Sequence, residues 1–140
     1  MAKTSVTLKI AGFKDREVDW IEYGYTQATD KEGQTTGIPR GGVIKLRVKA
    51  MNDGNCELLN WMVDKSLAKD GKIEFMDSSD VMKKMKDIEF TNAYCVNYLE
   101  HWHDATKKEI DDKTLTHWEL ITISCRAIKV QSVTYTNEWL

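Results

Sequence analysis

The histidines are the residues best suited to chemistry in this sequence, and two of them form the motif His101-Trp102-His103, followed by Asp104. In a strand, side chains two positions apart point the same way, so His101 and His103 could share one metal ion, with Asp104 or His117 completing its ligands. A protein metal site needs three or four ligands, and local spacing supplies only two. We therefore interpret the pair as surface histidines beside a partly buried Trp102, and we predict no metal site.

The cysteines do not form a pattern typical of catalysis or of disulfides. Cys56, Cys95 and Cys125 are far apart, odd in number and set among apolar neighbours, so we expect buried, reduced thiols. None has a histidine close in sequence that would serve as its base. The pair Ser78-Ser79 lacks the glycines of a nucleophile elbow. We therefore predict no catalytic residue and no enzyme activity.

Glycine clusters and charged clusters have equally ordinary interpretations. A phosphate loop at Gly41 and Gly42 is excluded because no Gly-Lys-Ser/Thr follows and the next element is a strand, so we predict no cofactor. The acidic pair Asp111-Asp112 is flanked by lysine and is typical of a solvated turn. Lys83 and its neighbour Lys84 begin a short basic patch that favours solubility or contact with an acidic surface.

The composition fits one soluble globular domain over residues 1–140. The chain is 41% apolar and 30% charged, enough to bury a core without disulfides. A formal net charge of −2 argues against a nucleic-acid binder, which carries a basic stripe. The N-terminus leads into an alternating pattern rather than a signal peptide, and no apolar run approaches the length of a membrane span. We expect a protein that folds in the cytoplasm without membrane insertion.

The most unusual stretch is residues 26–42, which is polar, contains several glycines and has no period that would bury a face. Long ordered loops in small domains usually contact something, so we expect a projecting loop with a binding role. Residues 43–50 then alternate, with Ile44, Leu46, Val48 and Ala50 on one side, and this predicts a half-buried strand. The rest of the chain would hold the loop in place.

Most of the remaining chain predicts strands. A first strand carries Val6, Leu8 and Ile10. The alternation of the next strand slips between Trp20 and Ile21, which predicts either a β-bulge or a strand covered on both faces. Residues 81–86 contain enough methionine for a helical turn, but the residues that follow keep a period of two, interrupted at Asn92. A further long strand begins at Trp118, and residues 130–135 either continue it or form one more strand.

One helix is predicted, beginning after a cluster of turn and N-cap residues at 52–55 and ending before Asp70-Gly71. Its apolar stripe is expected to contain Leu58, Leu59, Met62, Val63 and Leu67, with Trp61 beside it. Six to eight strands and one helix predict a mainly β fold, namely a small β-barrel or two-sheet sandwich with one flanking helix.

A series of segments resembles the TssD (Hcp-like) tube proteins of type VI secretion systems in Bacteroidetes. The segments are, in order, Arg40-Gly41-Gly42-Val43-Ile44-Lys45-Leu46, Leu58-Leu59-Asn60-Trp61-Met62-Val63, Gly71-Lys72-Ile73-Glu74-Phe75, Met82-Lys83-Lys84-Met85-Lys86, Phe90-Thr91-Asn92-Ala93-Tyr94-Cys95-Val96 and Asn137-Glu138-Trp139. Their order and spacing across nearly the whole chain, rather than any single motif, carry the resemblance.

The resemblance implies a small barrel that assembles into six-membered rings, which stack into a hollow tube. A contractile sheath would expel this tube, tipped by a spike protein and carrying secreted effectors, from the bacterial cytoplasm to the outside. The chain ends at Leu140, just past the expected barrel, so cargo would be carried noncovalently. In this family a long loop between the second and third strands reaches the adjoining ring, and residues 26–42 correspond to it.

We predict ring-to-ring contacts for the charged residues of this loop. They are Asp30, Lys31, Glu32 and Arg40. Charges on a reaching loop set the register of docking more than its affinity. The other interpretation of the same segment is a solvated loop without fixed structure.

Two other classes of function stay open from the residues alone. One is a monomeric β-barrel that binds a small ligand or glycan through Tyr23, Tyr25, Trp102 and Trp118. The other is an enzyme that uses the three histidines. The mass of the particle in solution distinguishes a ring from a monomer, and metal analysis tests the enzyme.

Overall fold

The structure is a computed structural model that describes residues 4–37, 40–51, 53–77, 83–104 and 116–137. Its elements are β1 (Thr4–Ile10), β2 (Arg16–Tyr23), β3 (Val43–Lys49), α1 (Glu57–Val63), β4 (Lys69–Asp77), β5 (Lys83–Trp102), β6 (His117–Val130) and β7 (Val133–Thr136). Within these ranges no helix has the length and apolar character needed to cross a membrane.

In the described ranges all strand pairs are antiparallel, and six of the seven strands close a barrel. The strand order is β3-β2-β1-β4-β5-β6-β7, and β6 also pairs with β3. Along one edge of β6, residues 118–124 pair with β3 and residues 127–130 pair with β7. The other edge pairs with β5 along the length of the strand. The fold is therefore a closed barrel with one added strand, and of the two predicted architectures the barrel is confirmed.

The barrel core follows the alternation seen in the sequence. In β3, Ile44, Leu46 and Val48 have no exposed surface. They face apolar residues from the other strands, and the fully or almost fully buried members of this set are Leu8, Ile73, Ile88, Phe90, Ile121, Ile123 and Ile128. Successive strand residues point to opposite faces, so their neighbours lie on the outside of the barrel.

The predicted bulge in β2 exists, but it lies earlier than expected. Val18 pairs with Val48 and Trp20 pairs with Arg47, so the extra residue is Asp19. The shift leaves Trp20 40% exposed and turns Ile21 towards the core. The apolar side chains on both sides of the bulge can then pack on the same core, which explains the slip in the sequence pattern.

The helix begins where predicted, but it ends at Val63 rather than just before Asp70-Gly71, so Leu67 lies beyond it. The predicted stripe is also partly wrong, because Val63 is 71% and Leu59 is 41% exposed. Trp61 is instead almost fully buried, because its indole Nε1 donates a hydrogen bond to the carbonyl oxygen of Leu67 at 2.9 Å. Its ring also packs edge-on against Phe13, with centroids 6.0 Å apart. Once its polar atom has a partner, the largest side chain of the helix can be buried.

β5 is the longest strand, and its first part corrects the helical turn predicted for residues 81–86. Lys83 already pairs with Asp77, so the described part of that segment is strand, while Val81 and Met82 lie outside the described residues. The interruption predicted at Asn92 is confirmed, because Asn92 has a φ of 47°. The seryl pair at 78–79 and the acidic pair at 111–112 also lie outside the described residues.

Candidate functional site: the arm and its base

Residues 26–42, here called the arm, form an ordered hairpin between β2 and β3, described except at positions 38 and 39. At its base the backbones of Thr26 and Arg40 exchange two hydrogen bonds, of 2.8 and 2.6 Å. Further out, the Thr36 amide donates to the Ala28 carbonyl oxygen at 2.9 Å. All described arm residues before Gly41 are exposed. The arm is a structured projection, which argues against the interpretation as a loop without fixed structure.

The tip of the arm is held by Asp30. One of its carboxylate oxygens accepts hydrogen bonds from the amides of Glu32 and Gln34, at 2.9 and 3.0 Å. The Asp30 amide and carbonyl bond to Gln34 and Gly33. Gly33 has a φ of 86°, a value that side chains with a Cβ rarely adopt. Asp30 therefore shapes the tip by the local bonding that aspartate favours in turns.

The four charged residues predicted as contacts are not gathered in one place. Lys31 and Glu32 are exposed at the tip, beside the turn that Asp30 folds. Arg40 is exposed at the base, opposite Thr26. The structure thus separates a charged tip from a single cation near the barrel.

The base of the arm is held by two side chains near the C-terminus, Tyr135 and Asn137, here called the clamp. The Gly41 amide donates to the Tyr135 hydroxyl at 3.0 Å, and the hydroxyl donates to Asn137 Oδ1 at 2.7 Å. Asn137 Nδ2 lies 3.3 Å from the Gly41 carbonyl oxygen and 2.8 Å from that of Cys125, and donates to both. Neither clamp residue was predicted from the sequence as a functional residue, although Asn137 belongs to a segment that carried the resemblance.

Close packing accompanies these hydrogen bonds. The rings of Tyr25 and Tyr135 lie 5.1 Å apart in an edge-on arrangement, and Tyr23 lies 6.2 Å from Tyr25. Partial burial, with smaller contributions from neighbours such as Tyr23, raises the pKa of Tyr25. A Cβ at Gly41 would clash with the Tyr25 ring, and one at Gly42 would clash with Asn137 Nδ2. The two glycines let the arm leave the barrel through this tight junction.

The histidines form polar pairs at the end of β5 and the start of β6, and Trp102 beside them is 67% exposed rather than partly buried as expected. His101 Nε2 lies 3.0 Å from His103 Nδ1, and the His101 ring stacks on Trp118 at 4.7 Å. His117 Nε2 lies 2.9 Å from Glu100 Oε2. Among the residues that the structure describes, no group of three or more potential ligands is arranged to hold a metal ion.

The thiols differ in exposure, which corrects one expectation. Cys95 and Cys125 are buried, and burial raises the pKa of Cys95 to about 11 and that of Cys125 to about 12. Thiols held neutral in this way are poor nucleophiles. Cys56 was expected to be buried, but it is exposed at the N-cap position of α1 rather than inside a strand.

The aromatic residues considered for ligand binding do not form one site. Tyr23 pairs with Ile44 at the start of β3, whereas Trp118 pairs with Lys49 at its end, about 17 Å away at 3.3 Å per residue. Trp102 follows His101, the direct partner of Trp118, and so points to the opposite face of the sheet. A single aromatic ligand site built from these side chains is not present.

An apolar row crosses the outside of the barrel. Trp20 on β2 pairs with Arg47, which pairs with Leu120 on β6, which pairs with Leu99 on β5. Trp20 is 40% and Leu99 51% exposed. Asp19 holds the Arg47 guanidinium in place with hydrogen bonds of 2.8 and 2.7 Å. Exposed apolar side chains grouped in this way, around the Arg47–Asp19 ion pair, occur at protein interfaces.

Comparison with known proteins gives a consistent result. The family model described as Hemolysin coregulated protein Hcp (TssD) matches residues 2–140. The structure of Hcp1 from Flavobacterium johnsoniae is 31% identical, covers 95% of this chain and 99% of its own, and superposes with a TM-score of 0.81. Among curated proteins, none matches the chain significantly.

More distant structures share the fold. Hcp1 from Salmonella typhimurium is 12% identical over 96% of this chain and 92% of its own, with a TM-score of 0.67. A chain of an extracellular contractile injection system, described as a PVC sheath/tube terminator, is 17% identical over 90% of this chain and 92% of its own, with a TM-score of 0.56. At these identities the likeness concerns the fold alone.

Proposed function

The chain belongs to the Hcp (TssD) family of structural tube proteins, which are not enzymes, and from this premise we propose that it forms hexameric rings that stack into the hollow inner tube of a type VI secretion system. The tube would assemble in the bacterial cytoplasm inside a contractile sheath, with a spike protein at its tip. Sheath contraction would expel it from the cell, and effectors would travel in the lumen or on the spike.

The observation that carries this proposal is the ordered, exposed arm. A hairpin with its own hydrogen bonds loses little conformational entropy when it docks, so it suits repeated contacts between rings. Lys31 and Glu32 at its tip, with Asp30 beside them, present charges to the next ring, and Arg40 adds a cation near the barrel. These contacts set the register between rings, and their multiplicity adds avidity.

Ring closure requires a second kind of contact, in which two unlike surfaces of neighbouring copies meet. The apolar row through Trp20 and Leu99 offers one such surface. The exposed face of α1, with Leu59 and Val63, offers another on a different element. Two separate apolar surfaces on one chain fit a heterologous, closing interface better than a self-complementary one.

The experiment that tests the proposal removes residues 30–36 from the arm. Rings should persist as particles of about six chains by light scattering, while electron microscopy should show no tubes. The matched control is Lys129→Ser, which changes an exposed charge on β6 and should leave tubes intact. Tubes of normal length from the deletion variant would refute the role of the arm, and a wild-type monomer would refute the ring.

A further inference from the structure

The clamp connects the arm to a part of the chain that is remote in sequence. Tyr135 and Asn137 lie 94 and 96 positions from Gly41, yet together they bond both its amide and its carbonyl oxygen. Asn137 is itself fixed, because its backbone amide donates to the Arg126 carbonyl oxygen at 2.6 Å. The clamp is therefore anchored to β6, independently of the arm.

The arm joins the barrel through two segments of the polypeptide, an outgoing one after β2 and a returning one before β3. Both segments contact the clamp at the barrel. The returning chain is bonded at Gly41, and the Gly42 carbonyl oxygen accepts from the Cys125 amide at 2.6 Å. The outgoing chain places the ring of Tyr25 against that of Tyr135. A hairpin joined to a barrel by two segments can swing as a unit about its base, because its internal hydrogen bonds do not oppose that motion. The contacts from β6 and β7 to the two segments do oppose this swing.

We propose that Tyr135 and Asn137 are positioning residues that fix the direction of the arm, so that the stacking of rings depends on them while ring closure does not. This inference rests on the proposed function, since it concerns the contact that the arm makes with the next ring. Neither residue has to touch that ring. Both act through Gly41, and Tyr135 also acts through its packing on Tyr25.

The expected size follows from the hydrogen bonds involved. Removing the Tyr135 hydroxyl leaves the Gly41 amide without its acceptor, a change that shifts the equilibrium towards a displaced arm by about two- to tenfold. Each ring contributes several arms to one stacking interface. The loss in affinity between rings is therefore multiplied over the arms, while the lateral contacts of the barrel are unchanged.

The test compares Tyr135→Phe and Asn137→Ala with Thr136→Ala, whose exposed side chain lies between them on the opposite face of β7. Light scattering measures ring mass, electron microscopy measures tube length, and amide hydrogen exchange reports on Gly41. Tyr135→Phe keeps the aromatic side chain that packs on Tyr25. It therefore tests the effect of the hydroxyl alone, even if Asn137→Ala fails to fold. We expect both clamp variants to form rings with few or short tubes, and exchange at Gly41 to rise about fivefold.

A stability control separates positioning from general weakening. Val130→Ala trims a half-buried side chain at the end of β6, and should lower thermal stability while tubes keep their length. Normal tubes from Tyr135→Phe, with the Gly41 amide still protected, would overturn the inference. If in the same experiment the arm deletion still abolished tubes, the proposed function would stand without the clamp. If wild-type rings failed to stack at all, the proposed function itself would fall.

Discussion

Arg16 donates a hydrogen bond to the Glu119 carboxylate inside the barrel, where the two residues are only 3% and 4% exposed. The Arg16 guanidinium also donates to the Lys49 carbonyl oxygen at 2.9 Å, and the Tyr98 hydroxyl donates to the other oxygen of Glu119 at 2.5 Å. Burial, followed by the bond to Glu119, raises the pKa of Tyr98. A buried charge pair joins β2 to β6, and the other core residues in the described ranges are apolar.

Breaking this pair on one side should be costly. Glu119→Leu leaves the Arg16 charge buried without its partner, and we expect it to lower the free energy of unfolding by about 3–5 kcal/mol. The double variant Arg16→Met with Glu119→Leu should lose less, because no charge is then stranded. Urea unfolding at fixed protein concentration measures both. A loss below about 1 kcal/mol for Glu119→Leu would mean that the pair is hydrated in solution.

Three glycines form a graded series for the arm and its ends. Gly24 has open space and no positive φ, so Gly24→Ala should change stability by less than about 0.5 kcal/mol. Gly33 has open space but a φ of 86°, so Gly33→Ala should cost about 1 kcal/mol. Gly42→Ala adds a steric clash with Asn137 to a φ of 92° and should cost about 3 kcal/mol or more. Thermal unfolding measures the series, and equal losses at Gly24 and Gly42 would contradict the tight junction at the base of the arm.

The tip residues should separate into folding and contact roles. Asp30→Ala removes the acceptor of the Glu32 and Gln34 amides, so hydrogen exchange at both amides should accelerate. Because the tip then loses its shape, the stacking of rings should weaken as well. Lys31→Ser should leave those amides protected and weaken stacking alone. If Lys31→Ser released the same amides, the division of roles at the tip would be wrong.

Thiol labelling should follow the exposure of the cysteines. A thiol reagent should modify one cysteine per chain in the native protein and all three, the full number in the sequence, after denaturation. Cys56→Ser should abolish the native reaction. Modification of Cys95 or Cys125 at a rate comparable with Cys56 would show that the barrel opens in solution.

Alkaline pH should destabilise the fold through the buried thiols. Their pKa values are raised from 9.0 to about 11 at Cys95 and about 12 at Cys125, so the unfolded chain releases protons near pH 9 that the folded chain retains. This contribution to stability is complete below about pH 9 and is lost as the pH rises towards 12. Cys125→Ala should flatten the fall in melting temperature over that range, while Cys56→Ala should not. Identical slopes of melting temperature against pH for Cys125→Ala and Cys56→Ala would show that the buried thiol is not responsible for the loss of stability.

Local patterns in the sequence predicted much of the fold. β3 was predictable because one face is buried and the other is solvated, which produces strict alternation through Ile44, Leu46 and Val48. The start of the helix was located correctly, but its end and its buried face were not. Periodicity cannot show that the Trp61 indole finds an acceptor at Leu67. The bulge was placed too late for a similar reason, since a slip in alternation does not identify the extra residue.

The base of the arm could not be predicted from local patterns. Gly41 and Asn137 meet only because β3 and β7 share one edge of β6, and pairing between distant segments leaves no local periodicity. The available signals were a glycine pair directly before a strand and a polar residue directly after one. Both features are common at the ends of strands in general, so the combination becomes specific only in three dimensions.

The pairing of β3 with β6 also constrains biosynthesis. Residues 43–49 remain without their partner until residues 118–124 have been translated. Once residues 83–102 are made, β5 adds a second unsatisfied sheet margin that also waits for β6. Such margins invite mispairing between chains emerging from neighbouring ribosomes. Because β3 and β6 lie far apart in sequence, closure of the barrel depends on non-local contacts, which predicts slow folding.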